Sequence, residues 1–248
     1  ESLHNLLSKG ALSLEQFFNI AISICGSLSV LHQLGILHKD INPNNIIWDA
    51  ATAQATLIDF DGATSIKQAQ RQLNDPGKLE GTLAYISPEQ TGRINREVDF
   101  RSDLYSLGAT FYELLSGVTP FDFEDPAAMI YAQIAKTPPP LHAHKAQLPT
   151  ALVKLVAKLL EKEAAKRYQS AKGLKYDLEC IQTALNIAGS PDAEIDIVLG
   201  SRDFSDTLQF AQKLYGRSFA VQQLQEQLGL ARSGQTRLVV IEGGSGTG

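Results

Sequence analysis

Cysteine is nearly missing from this chain: Cys25 and Cys180 are the two in 248 residues. Both fall in helix-like apolar patterns and read as buried free thiols. No Cys/His spacing beside them suits zinc. So little cysteine fits a reducing compartment, and a cytoplasmic location is expected. A positive excess is missing too. Lys+Arg number 22 against 27 Asp+Glu, for a net charge of −5 and a pI near 5.6. No basic stripe is available for nucleic acid, although a local site for a small anion stays open. Long apolar runs are absent as well. A membrane helix needs about 20 such residues, and the best candidate, FFNIAISICGSLSVL, is broken by Asn19, Ser23, Gly26 and Ser27. No membrane segment and no secretory signal are expected. An initiator Met is lacking and the last residues stop inside a motif, so the chain is expected to be a piece of a longer polypeptide. What is present, 44% hydrophobic and 20% charged residues, suits one large domain, or one domain plus part of another.

Ser13 with Gln16 forms a capping box. Leu14, Phe17, Phe18, Ala21, Cys25, Leu28 and Leu31 then recur at helical spacing until Gly35. Two strand-like runs follow, NIIWD and ATLIDF. Residues 61–101 are polar and turn-rich, with no sustained period. Helical patterns return over 102–116, stopped by Gly117, and after Asp125, where Pro126 takes the first helical position. TPPPL breaks the chain. Residues 150–160, 170–187 and 218–231 read as further helices, AGSPDAEID as a linker, and 238–241 as a buried strand running into glycines. No internal repeat is found. The expected fold class is mainly α with short β hairpins over 1–188, a linker over 189–212, and the first strand of an α/β domain over 213–248.

The most polar short stretch is ILHKDINPNNIIWD, which contains His38, Asp40, Pro43 and Asn45. LIDFDG then places Asp59 after an apolar strand. An Asp, an Asn and a second Asp from neighbouring strand ends suit phosphoryl transfer. One carboxylate takes the proton of the acceptor hydroxyl, and the other two groups hold Mg²⁺, which wants oxygen ligands. Asn, Asp and Pro are also plain turn-formers; it is the ordered set of five residues that argues for chemistry.

HKDINPNN resembles the protein-kinase catalytic loop H-R-D-x-x-x-x-N, and DFD resembles its D-F-G. Small-molecule kinases of the aminoglycoside and choline phosphotransferase type are the runner-up, since they share the Asp-to-Asn loop and often carry an acidic residue like Asp61. Downstream motifs favour protein kinases. GTLAYISPEQ resembles the end of an activation segment, with Ser87, Pro88 and Glu89 for A-P-E. RSDLYSLGATFYELLSGVTPF resembles the helix whose Asp, here Asp103, props the catalytic loop. AAKRYQS carries Arg167, the family's partner for Glu89. Taken singly, Asp103 could be a helix cap and Arg167 a surface charge. Together they imply the carboxy-terminal lobe of a serine/threonine protein kinase. The resemblance then implies Asp40 as base with Asn42 beside it, and Asn45 and Asp59 as metal ligands. It implies ATP and Mg²⁺ as cofactors. Thr82 and the residues to Pro88 would form the platform for a protein substrate. No Gly-rich nucleotide loop and no V-A-I-K-like strand precede Asp40, so the amino-terminal lobe is expected elsewhere in the polypeptide and the piece alone is expected to be inactive.

Three departures from the family pattern stand out. Asn42 occupies the place of a Lys that meets the transferring phosphate, so a lysine restored there is expected to raise turnover. Lys39 replaces an Arg and cannot form a bidentate fork with a phosphorylated loop. Asp61 replaces Gly at a hinge where backbone freedom is expected to matter. These favour an alternative, a kinase-like regulatory module controlling an adjoining ATPase or histidine kinase. Gly243, Gly244, Ser245, Gly246, Thr247 and Gly248 match the opening of a phosphate-binding loop, without its Lys. With KLYGRS before them, they resemble the entry to an ATPase module in large bacterial multidomain kinases that also carry sensor and histidine-kinase parts.

Overall fold

The computed structural model describes residues 1–71, 81–94, 96–143, 148–190, 195–204, 218–236 and 238–240. It divides into two units, Glu1–Asp206 and Thr207–Gly248. In the first, one turn of helix, α1 (Leu3–Leu7), is capped by Ser2. Helix α2 (Leu14–Gln33) starts at the Ser13–Gln16 capping box, with both reciprocal bonds made. Its stripe of Phe17, Phe18, Ile20, Ala21, Ile24, Cys25 and Leu28 is buried. Two short antiparallel pairs follow. β1 (Ile36–Leu37) pairs with β4 (Thr64–Ser65), and β2 (Ile46–Asp49) pairs with β3 (Gln54–Leu57) in the register Ile46↔Leu57. Helix α3 (Ile66–Arg71) continues from β4, so the stretch read as polar and turn-rich also holds a strand and a helix. Both are too short to show a period.

Helix α4 (Phe100–Ser116) runs through the middle, capped by Asp99, and most of its residues are buried, the polar Ser102, Asp103, Ser106 and Thr110 among them. After it come α5 (Pro126–Ala135), α6 (Thr150–Leu159) and α7 (Ala171–Ala188). Asp125 caps α5 by accepting from the Ala127 and Ala128 N–H groups. α4 packs on α6, and α2 packs on α7 and β3. Phe17 meets Phe111 edge-on at 5.3 Å, joining α2 to α4. Each large apolar side chain buried this way contributes roughly 1.5–3 kcal/mol. By length and a mean hydropathy of 1.4, α2 could cross a membrane, contrary to the reading of its interrupted run. Its apolar stripe is instead part of this core.

The first unit extends past the expected boundary at 188. Residues 195–204, read from composition as linker, pack onto the domain as a strap. Ile195, Ile197 and Leu199 lie against the core. The Asp203 carboxylate accepts from the Gln169 N–H at 2.6 Å and the Ser170 hydroxyl at 2.9 Å. The Gly200 N–H donates to Asp177 Oδ2 at 2.6 Å, and the Arg202 guanidinium stacks over Tyr176 at 4.7 Å. At Gly173 the approach is so close that a Cβ would stand 2.6 Å from Asp203 Cα.

In the second unit, α8 (Ser218–Arg232) is described. Leu238, Val239 and Val240 are exposed and form no strand, contrary to expectation. A buried strand needs neighbours to pair its backbone, and no described residue of that unit supplies one.

Candidate active site

The 38–45 loop lies between β1 and β2. Asn42 shapes it: its Oδ1 accepts the Asn44 N–H at 2.9 Å and caps a 3-10 turn over Pro43–Asn45. That turn folds Asn45 back onto Asp40. The Asn45 amide donates to the Asp40 main-chain oxygen at 2.9 Å and to its Oδ2 at 3.0 Å. Asp40 Oδ1 accepts from the Asn42 amide at 3.0 Å and from the Thr82 N–H and hydroxyl at 2.9 and 3.0 Å. Oδ1 is thus taken by three donors, while Oδ2 receives the Asn45 amide. Asn42, expected beside the chemistry in place of a cation, is buried and bound to Asp40, Thr82 and Asn44. Gly81, at φ +101°, lets the 81–88 loop approach: a Cβ would stand 3.0 Å from the Lys39 carbonyl oxygen.

Asp103, fully buried on α4, holds the other side of the loop. Its carboxylate accepts the main-chain N–H groups of His38 at 3.0 Å and Lys39 at 2.8 Å, and His32 Nε2 lies 2.9 Å away. Burial pushes this carboxyl up, but the bond and charge of His32 and the two N–H groups outweigh it and hold it below the ordinary range. Lys39 sits at φ 70°, and its carbonyl accepts from Gln90 Nε2 at 2.8 Å. The His38 ring reaches the Ile58 carbonyl at 3.1 Å and meets the Phe60 ring at a tilt, 5.0 Å between centroids. Sequence reasoning missed His32 and Gln90. The signal for His32 was there: it extends the buried α2 stripe from Leu28 by four residues.

The Ile58 N–H bonds the Asn45 carbonyl at 2.9 Å, which brings the start of 59–61 to the loop. Asp59 takes the left-handed conformation, at φ 63°. Asp61 lies outside the left-handed region. Asp61 donates its N–H to Asp59 Oδ1 at 3.4 Å. Asp59 is exposed, and the Asn45 amide nitrogen is already bound to Asp40. The Asn45 side-chain oxygen and the Asp59 carboxylate are oxygen donors of the kind Mg²⁺ takes while keeping several waters. These residues fit that ion.

Glu89, in a 3-10 turn (Glu89–Thr91), meets Arg167 in a buried fork of 2.6 and 2.9 Å. Arg167 also donates to the carbonyls of Glu161, Lys162 and Arg101, so all five of its N–H donors are used. The Ser102 hydroxyl donates to Glu89 Oε1 at 2.8 Å. Burial pushes Glu89 up; the Arg167 bonds override it, and the carboxyl lies below its ordinary range. Residues 243–248 lie outside the described residues.

The family profile described as protein kinase domain matches residues 1–178. Serine/threonine-protein kinase PksC of Streptomyces coelicolor is 32% identical over 74% of this chain and 32% of its own length. Serine/threonine-protein kinase PknB of Mycobacterium tuberculosis is 33% identical over 69% of this chain and 27% of its own. Hybrid signal transduction histidine kinase G of Dictyostelium discoideum is 35% identical and covers 99% of this chain but 10% of itself. The chain thus spans about a third or less of the length of these relatives.

Proposed function

The chain belongs to the protein kinase domain family, and on that premise we propose that its 38–45 loop transfers the γ-phosphoryl group of ATP to serine or threonine hydroxyls of protein substrates in bacterial signalling. The observation that carries this is the asymmetry of the Asp40 carboxylate. Three donors fix Oδ1. Oδ2 faces one donor among the described residues, the Asn45 amide, and keeps room to accept a proton. As the acceptor hydroxyl attacks the γ-phosphorus and the bond to the leaving diphosphate oxygen breaks, Asp40 takes the hydroxyl proton. Asn42 and Thr82 orient the base. Asn45 and Asp59 would hold Mg²⁺, which neutralises phosphate charge. The lobe that closes over the nucleotide is proposed to lie elsewhere in the same polypeptide, and the cytoplasm is proposed as its location.

The test is phosphate transfer from ATP by the full-length protein. Asp40→Asn should lower turnover by about 10²–10⁴ with nucleotide affinity kept. Equal activity in both forms would remove Asp40 from the role of base. A second reading is a kinase-like regulatory module, favoured by Asn42 in place of a cation; nucleotide binding with no transfer by the wild type would select it. We further propose that residues 213–248 open a phosphate-binding-loop module. Two things support this: the glycine motif, and the similarity of nearly the whole chain to a hybrid histidine kinase.

A further inference from the structure

Behind the 81–88 loop runs a buried hydrogen-bonded chain that phosphoryl transfer, as described, leaves unused. Gln133, on α5, is 1% exposed. Its amide nitrogen donates to two successive main-chain carbonyls, Leu83 at 3.0 Å and Ala84 at 2.9 Å. Its amide oxygen accepts from the Tyr105 hydroxyl at 2.7 Å, and Tyr105 in turn accepts from Lys162 Nζ at 2.8 Å. With Lys162 donating to its oxygen, Tyr105 directs its own proton to Gln133. A flipped amide would set oxygen against two carbonyls, so the orientation is fixed. Phe121, Met129 and Ala132 pack against Leu83 and Ala84 from α5 and the segment before it.

Irregular backbone has no ladder to satisfy its carbonyls, and buried ones need a donor. Here one side chain serves two of them. One residue earlier, Thr82 fastens to Asp40 through both its N–H and its hydroxyl. The brace and the catalytic clamp are therefore adjacent on one short run of backbone.

We propose that Gln133 is a positioning residue for the protein substrate, holding the 82–86 backbone in the place from which an extended peptide presents its hydroxyl to Asp40. This rests on the phosphoryl-transfer reading above. In the full-length protein, Gln133→Met keeps the volume and removes donor and acceptor together. It should raise KM for a peptide substrate about tenfold, the weight of one or two buried hydrogen bonds. The dissociation constant of a fluorescent ATP analogue should stay within about twofold, and amide hydrogen exchange at 82–86 should quicken. Gln133→Glu keeps the acceptor for Tyr105 but faces two carbonyls with a carboxylate, so it should not rescue. A merely structural role would lower the active fraction, and with it kcat, and leave the peptide KM alone. An active enzyme whose peptide KM does not move in Gln133→Met overturns the proposal. Should that variant not fold, Tyr105→Phe, which frees one end of the amide, carries the same test with a rise of about threefold; no rise overturns it. If the wild type transfers no phosphate, the kinase reading fails separately and exchange at 82–86 decides for Gln133: unchanged rates overturn the brace, faster rates support it.

Discussion

The Asn42 amide donates to Asp40 and Thr82, and its oxygen caps the turn that carries Asn45. A lysine at 42 would keep a donor and lose the cap, in a place that is 2% exposed. Asn42→Lys should therefore cost about 1–2 kcal/mol of stability and lower turnover, read by melting and by phosphate transfer; a faster, equally stable variant would refute this. The Asp40-to-Asn45 spacing was legible because both lie on one local loop. That Thr82 would close on Asp40 from 42 residues away was not, since only the fold brings them together. Lys162 offers a pH test. Burial, with the nearby Arg167 charge, lowers it to about 7. Between about pH 7 and the ordinary lysine range, the unfolded chain binds more protons at this site than the folded one. Stability from this group therefore rises with pH. Compared with Lys162→Met, the wild type should gain stability from pH 7 to 9 in denaturant titrations. A gap that stays constant or shrinks would show that Lys162 titrates normally in the fold.

Helices with chemical punctuation were the legible elements: α2 by its capping box, α5 by Asp125 and Pro126, α4 by Gly117 at its end. α1 and α3, of 5 and 6 residues, have no room for a period. Glu89 and Arg167 tie the turn after the 81–88 loop to the segment before α7. Losing either partner leaves a charge buried alone and should cost about 3–5 kcal/mol. The double change should cost less than the sum, with a coupling of roughly 0.5–3 kcal/mol in a denaturation cycle. Because Glu89 is held below its ordinary range, its contribution is present near neutrality and is lost as pH falls through its folded value. Additive single losses would show that the fork does not form in solution.

At the scale of the whole molecule, the strap decides where the first unit ends. Its apolar residues, Ile195, Ile197 and Leu199, are sparse and set among polar ones, so composition reads as linker. What fixes it is tertiary: Gly173 under Asp203, and Asp177 under Gly200. Gly173→Ala tests this by sign. On a free helix face alanine would stabilise by roughly 1 kcal/mol. Under a docked strap it should instead lower the melting temperature and speed hydrogen exchange at the Gly200 amide; a higher melting temperature with Gly200 still protected would mean the strap does not sit there. The family match closes at residue 178, whereas the physical unit closes at Asp206. Inheritance and folding thus draw the border in different places. A recombination event that joined this domain to a new neighbour at the end of α7 would leave Asp203 and Gly200 behind with the old gene. The two carboxylate anchorages would be severed. Successful exchange between genes therefore has to carry residues that lie beyond the family match.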